Sequence, residues 1–136
     1  MFFLSVLPDS LTICRLEPND PFPDWVMTGD LLSLTRTPDE LSIICPQAIV
    51  PDEVLADKGW RALKVQGPLD FALVGVLAEL SGLLAAAKVS IFVISTFDTD
   101  YILVKEEKLT AAIFALQNAG HQVIEEATQH KDVEHG

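Results

Sequence analysis

Cysteine is scarce in this chain of 136 residues, which contains only Cys14 and Cys45, far apart in sequence. A disulfide framework or a zinc site requires more cysteines or closely spaced pairs, so neither is predicted. Two buried thiols in a reducing cytoplasm are expected instead. The histidines His121, His130 and His135 have no spacing typical of metal ligands. We therefore expect no metal and no cofactor.

Basic residues are also few, since nine Lys and Arg stand against 20 Asp and Glu and give a formal net charge of −11. Nucleic acids and anionic membranes attract clustered Lys and Arg, so we expect neither as a partner. No apolar run approaches the roughly 20 residues of a membrane span. Residues 1–8 are apolar but lack a basic start and a long apolar stretch, so they predict a strand rather than a signal peptide. We expect a cytoplasmic location.

Recognisable catalytic motifs are missing as well. The chain has no Gly-x-Ser-x-Gly, no glycine-rich phosphate loop and no His-Glu-x-x-His. The apolar fraction of 49% is nevertheless high enough for a folded core. We expect a folded protein that is not an enzyme.

The first half of the chain is rich in proline, with seven of the eight prolines at or before position 51. Proline blocks helix interiors, so this half is predicted to form strands joined by turns. The predicted strands cover residues 2–7, 11–16, 31–36 and 41–45, and single helical turns cover residues 24–27 and 51–55.

The second half is more regular. Apolar residues at three-and-four spacing predict amphipathic helices over residues 74–87 and 107–118, the second ended by Gly120. Runs rich in β-branched and aromatic residues predict strands. These strands cover residues 60–65, 90–95, 100–104 and 122–126.

The resulting order, βαββαβ, is that of a ferredoxin-like sandwich with both helices on one face of an antiparallel sheet. The first half has the same order with its helices reduced to turns. We therefore predict an α+β fold of two ferredoxin-like units in tandem. The expected domains are residues 1–60, a degenerate unit, residues 61–128, a complete unit, and residues 129–136, a flexible tail.

Three segments carry a resemblance to a known family. Residues 74–91, with a loop glycine before an alanine-rich helix and a β-branched strand, resemble the signature of ACT domains. Residues 32–40 and 94–104 resemble two hallmarks of the tandem-ACT, CASTOR-like family, which includes the cytosolic arginine sensor of animal cells and small bacterial two-ACT proteins. The resemblance covers about residues 31–123. It implies two ACT units, which are ferredoxin-like modules that pair side by side and often bind amino acids.

The resemblance also implies a ligand site. Two loops would form this site, one leading into the first helix and one following the second strand of the complete unit. The implied ligand-binding residues are Asp70, Phe71, Val74, Gly75, Val76, Thr96, Phe97 and Asp100.

Backbone groups near Gly75 would hold a carboxylate, Thr96 and Phe97 would line the pocket, and Asp100 would face a cationic group. Leu73 stands where the arginine sensor has an acidic residue, which points to a smaller or less basic ligand.

Physical chemistry agrees with this reading, because a helix start offers unpaired N–H groups and partial positive charge to a carboxylate. Local alternatives stay open: Gly75 would also suit tight helix packing, Asp98 and Asp100 would suit a turn, and Phe71 and Phe97 would suit a core or interface.

The function expected is a regulatory module that senses a free amino acid at an ACT–ACT interface. The alternative is a ligand-independent module for homodimerisation or partner docking. A homodimer is expected in either case, because an isolated sheet edge is a liability.

Overall fold

The computed structural model describes residues 1–66 and 75–126. The chain divides into two compact units, each described here by itself. The helical unit consists of Met1–Pro8 together with the chain from Arg61 onward, and the small unit is Asp9–Trp60. Residues 129–136, expected to be a flexible tail, lie outside the described residues.

The order of secondary structure follows the prediction. The strands are β1 (Phe3–Val6), β2 (Leu11–Leu16), β3 (Ser33–Arg36), β4 (Leu41–Pro46), β5 (Ala56–Val65), β6 (Phe92–Ser95), β7 (Asp100–Lys105) and β8 (Gln122–Glu125). The helices are α1 (Val76–Ala86) and α2 (Leu109–Asn118), and short 3-10 helices cover Asp24–Thr28, Gln47–Ile49 and Glu106–Lys108.

Two elements differ from the predicted ones. Strand β5 begins at Ala56, earlier than predicted, because its first half pairs with β2 through Leu11↔Trp60 and Cys14↔Ala56. The helical turn predicted over residues 51–55 forms instead at Gln47–Ile49, directly after Pro46 ends β4. Only a turn remains later, where the N–H of Val54 donates to the carbonyl of Pro51.

In the helical unit the strands lie side by side in the order β6, β7, β5, β1, β8. Strand β1 is antiparallel to β5, with Leu4 opposite Val65, and parallel to β8, with Leu4 opposite Val123. Both helices pack on one face of this sheet. Its core residues include Leu4, Val6, Leu63 and Val65 from the strands, Val76, Leu80 and Leu84 from α1, and Ala112 and Leu116 from α2. This arrangement confirms the ferredoxin-like prediction.

The first eight residues differ from the predicted domain division, since they belong to the helical unit rather than to the first half. Their strand β1 lies between β5 and β8 and adds a fifth strand to the sheet. Leu4 is 1% exposed and Val6 is fully buried in the helical unit's core. Burial of these two side chains explains why β1 packs there.

The small unit has the strand order β3, β4, β2, β5, with neighbours antiparallel. This is the ferredoxin-like order with 3-10 turns where helices would be, as predicted. Gly59, at φ +81°, lies where the register between β2 and β5 shifts, and its N–H donates to Oε1 of Gln47 at 2.7 Å. The positive φ is a conformation that glycine adopts readily at a bulge.

Cys14 and Cys45 are buried in the core of the small unit, as predicted, on neighbouring strands β2 and β4. A hydrogen bond between the two thiols lowers the pKa of Cys14 and raises the pKa of Cys45. Neither α1 nor α2 has the length or the continuous apolar surface of a membrane-crossing helix, a statement that covers the described residues. Within residues 1–66 and 75–126, no His, Cys, Asp and Glu side chains gather as a metal-binding group.

Candidate functional site

Several segments of the helical unit meet at one edge of its sheet. Thr99, directly before β7, donates its Oγ1 hydroxyl to the carbonyl of Val65, the last residue of β5, at 2.5 Å. The turn between β6 and β7 therefore lies where β5 ends. On the other side of β5, the N–H of Gln66 donates to the carbonyl of Phe3 at 2.8 Å. The start of β1 thus lies at the same edge.

The first turn of α1 reaches this edge through a buried histidine. His121, directly before β8, accepts the N–H of Phe2 on Nδ1 at 2.9 Å. Its Nε2 lies 2.8 Å from Oε2 of Glu79, in the first turn of α1. We call this region the α1 edge. It comprises Val65 and Gln66, the α1 start at Gly75 and Val76, the β6–β7 turn at residues 96–99, Asp100, and the cluster of Phe2, Glu79 and His121.

Gly75 is the N-terminal cap of α1 and has φ +86° and ψ 7°. Its carbonyl accepts the N–H of Glu79 at 2.8 Å, and apart from its chain neighbours a Cβ at this position would meet no atom of the described residues within 4 Å. The left-handed backbone rather than tight packing explains the glycine, because L-residues disfavour this conformation by about 1–2 kcal/mol. Val76 is 7% exposed and faces the core, so only its backbone can serve a ligand.

Among residues 1–66 and 75–126, no side chain caps the start of α1. The first amide groups of a helix have no partner within the helix, and they carry the positive end of its dipole. The start of an 11-residue helix is therefore suited to a carboxylate.

The turn at residues 96–99 is held by its own threonines. The N–H of Thr96 donates to the carbonyl of Thr99 at 2.9 Å, and the N–H of Thr99 donates to Oγ1 of Thr96 at 3.3 Å. The hydroxyl of Thr96, predicted to line a pocket, thus maintains the turn. Thr99, which sequence analysis did not single out, is 4% exposed and anchors the turn to β5. The paired threonines at three-residue spacing are the signal that could have identified it.

Asp100 and Phe97 lie on either side of this anchor. Ser95 donates its hydroxyl to Oδ1 of Asp100 at 2.6 Å, and the two residues are opposite each other in the β6–β7 register. This contact holds the carboxylate at the start of β7. Phe97 is 83% exposed at the tip of the turn. A core role for Phe97, one of the alternatives left open, is therefore wrong.

Five of the predicted site residues lie at the α1 edge, on two separate segments: Gly75 and Val76 at the start of α1, and Thr96, Phe97 and Asp100 at the β6–β7 turn and the start of β7. The other three, Asp70, Phe71 and Val74, lie outside the described residues. The edge also contains Glu79 and His121, to which sequence analysis assigned no ligand role. His121 lies three residues after Asn118, where α2 ends, and no sequence pattern signals its contact with α1.

The small unit has a concavity of its own, of about 220 Å³, lined in part by Ile13, Arg15, Leu55 and Asp57. Arg15 pairs with Glu17 at 3.1 Å, and its Nη2 donates to a backbone carbonyl at 2.9 Å. Because these contacts already engage the guanidinium, we place no ligand there.

Comparison with known proteins matches two family models to this chain. A model described as ACT domain matches residues 55–118. A model for an N-terminal domain matches residues 9–53. The chain is also similar in sequence to the human cytosolic arginine sensor for mTORC1 subunit 1, with 42% identity over 59 residues. That match covers 43% of this chain and 18% of the human protein, so the chain spans less than a fifth of this relative.

Solved structures extend the similarity to the whole chain. A protein from Agrobacterium tumefaciens is 38% identical and has a TM-score of 0.89, over 95% of this chain and 96% of that chain. The ligand-free regulatory subunit of aspartate kinase from Thermus thermophilus has a TM-score of 0.60 over 82% of this chain and 93% of that chain. Its identity of 12% shows a shared fold alone.

Proposed function

Since this chain belongs to the ACT-domain family and is similar to the arginine sensor, we propose that it is a non-catalytic module that binds a free amino acid at the α1 edge. One observation carries the proposal: a helix start that no side chain of the described residues caps and the Asp100 carboxylate lie at the same edge of one sheet. The helix amides suit the α-carboxylate of an amino acid, and Asp100 suits its α-ammonium or a cationic side chain.

The proposed site is completed by an ACT unit of a second copy of the chain, which covers the exposed Phe97. A homodimer also protects exposed strand edges from uncontrolled pairing. In the described part of the helical unit, β8 pairs with β1 alone, and its Ile124 is 63% exposed. We place the protein in the cytoplasm, as the name of its arginine-sensing relative supports.

The ligand is expected to be smaller or less basic than arginine, because Leu73 occupies the position of an acidic residue in the arginine sensor. The direct test is thermal unfolding with each of the twenty amino acids at millimolar concentration. A ligand at 100 times its dissociation constant stabilises the folded state by about 2.7 kcal/mol, which corresponds to an upward shift of several degrees. Isothermal titration calorimetry then gives the affinity.

Asp100→Asn tests the placement of the ligand site, and Asp98→Asn, in the adjoining exposed turn, is the matched control. We expect Asp100→Asn to weaken binding by roughly tenfold or more, because charged hydrogen bonds contribute about 1.5–3 kcal/mol, and Asp98→Asn to leave binding unchanged. Equal affinity of both variants and the wild type would refute the placement. If no amino acid raises the unfolding temperature while dilution lowers it, the alternative function, a ligand-independent dimer or docking module, is correct.

A further inference from the structure

His121 occupies the interior of the α1 edge and has no part in the ligand contacts proposed above. Its side chain is 1% exposed. The ring stacks on Phe2, with centroids 5.3 Å apart and planes 13° from parallel. Its backbone N–H donates to the carbonyl of Leu116, in the last turn of α2, at 3.1 Å. The histidine therefore contacts β1, α1 and α2 at the point where β8 begins.

The hydrogen bond to the ring defines which tautomer its neutral form adopts. Because Nδ1 accepts the Phe2 N–H, the neutral ring carries its proton on Nε2, which lies 2.8 Å from Oε2 of Glu79. The two atoms are this close although the angles between them are not those of a hydrogen bond. Electrostatic attraction between an N–H dipole and a carboxylate does not require linear alignment.

Two lines of contact lead from His121 to the two halves of the proposed ligand site. One passes through Glu79, whose backbone N–H donates to the carbonyl of Gly75 at 2.8 Å, and so reaches the start of α1. The other passes along the sheet edge. It consists of hydrogen bonds from Gln122 N–H to the Phe2 carbonyl at 3.0 Å, from Gln66 N–H to the Phe3 carbonyl at 2.8 Å, and from the Thr99 hydroxyl to the Val65 carbonyl at 2.5 Å.

We propose that His121 and Glu79 are positioning residues for the amino-acid site: their contact fixes the first turn of α1 against the sheet edge that carries the β6–β7 turn. The inference rests on the proposed function. A ligand held by the helix amides at one end and by Asp100 at the other requires a constant separation between these groups. The contact between His121 and Glu79 sets that separation, although neither side chain touches the ligand.

Glu79 provides the sharper test, because its side chain is 53% exposed and its loss does not open a cavity. Because Nε2 of His121 is buried, Glu79→Ala leaves it without this neighbour and is expected to lower the unfolding temperature. Affinity for the amino acid that stabilises the wild type is therefore measured by isothermal titration calorimetry well below that temperature, where the variant is folded, and it is expected to fall by roughly two- to thirtyfold, the usual range of coupling through a packed network. A residue that only stabilised the fold would lower the unfolding temperature and leave the affinity of the folded protein unchanged.

Glu79→Gln should restore most of the affinity, because its amide oxygen occupies the same place beside Nε2 of His121. The control is Glu107→Ala, which removes another exposed carboxylate from the helical unit and should bind as the wild type does. Wild-type affinity in Glu79→Ala, or an equal loss in Glu107→Ala, would overturn the inference and leave the proposed function standing. If the wild type itself binds none of the twenty amino acids, the proposed function falls and the inference falls with it.

Discussion

The hydroxyl of Thr99 is expected to be the strongest single polar contact of the α1 edge. The N–H of Gln66 donates to the carbonyl of Phe3, and the carbonyl of Ala62 accepts the N–H of Leu7. In an antiparallel ladder, successive residues form hydrogen bonds with opposite neighbouring strands. The N–H and carbonyl of Val65 therefore point away from β1, toward β7. There the Val65 carbonyl accepts the Thr99 hydroxyl at 2.5 Å. Val65 is 1% exposed and Thr99 is 4% exposed, so water cannot readily replace this donor.

Thr99→Val retains the shape of the side chain and removes its hydroxyl. Loss of a donor to a buried acceptor costs roughly 1–3 kcal/mol. For a chain of 136 residues each kcal/mol lowers the midpoint temperature by roughly 3–6 °C. We therefore expect the Thr99→Val variant to unfold at a temperature lower by about 3 °C or more.

Thermal unfolding gives the temperature shift, and urea unfolding followed by far-UV circular dichroism gives the loss in free energy of unfolding. An unchanged m-value shows that the folded and unfolded states are as compact as in the wild type. Thr99→Ser is the matched control, because it retains the hydroxyl and loses a methyl group. It should be more stable than Thr99→Val. A Thr99→Val variant as stable as the wild type, or less affected than Thr99→Ser, would refute the reasoning.

Two further predictions concern α1. Gly75→Ala should destabilise the protein by about 1–2 kcal/mol because Gly75 has a φ of +86°. Gly82→Ala, in the middle of the same helix, should instead stabilise the protein by about 0.5–1 kcal/mol. Urea unfolding measures both changes in free energy, and changes of the same sign would contradict the backbone argument. Leu84→Ala should lower the free energy of unfolding by about 2–5 kcal/mol, since Leu84 is fully buried. The control Leu55→Ala, at a side chain 69% exposed, should change it by less than about 0.5 kcal/mol. Equal losses of stability in the two variants would contradict a core role for Leu84.

Local pattern was sufficient for most elements. The strand predicted over residues 11–16 is β2 with the same bounds. The buried residues of α1 lie four positions apart, as part of the three-and-four spacing that predicted the helix; they are Val76, Leu80 and Leu84. Turn chemistry was equally local, since Thr96 and Thr99 bond to each other.

The site residues that sequence analysis named remain predictions. Gly75 and Asp100 were named through the resemblance to ACT domains, which rests on short segments of neighbouring residues. Glu79 and His121 were not identified, because residues 42 positions apart in sequence meet only through the packing of α1 against the start of β8. No periodicity within one element encodes such a contact.

The sequence by itself thus determined the type and order of the elements and the reduced helices of the first half, because these depend on the intrinsic geometry of short segments. Only the tertiary structure decided that β1 leaves the first half and lies between β5 and β8, and that β5 begins at Ala56. Strand partners are chosen by long-range burial and hydrogen bonding. β1 could pair with other strands of the chain as far as its own sequence is concerned. Its place between β5 and β8 buries Leu4 and Val6 in the core to which both helices contribute.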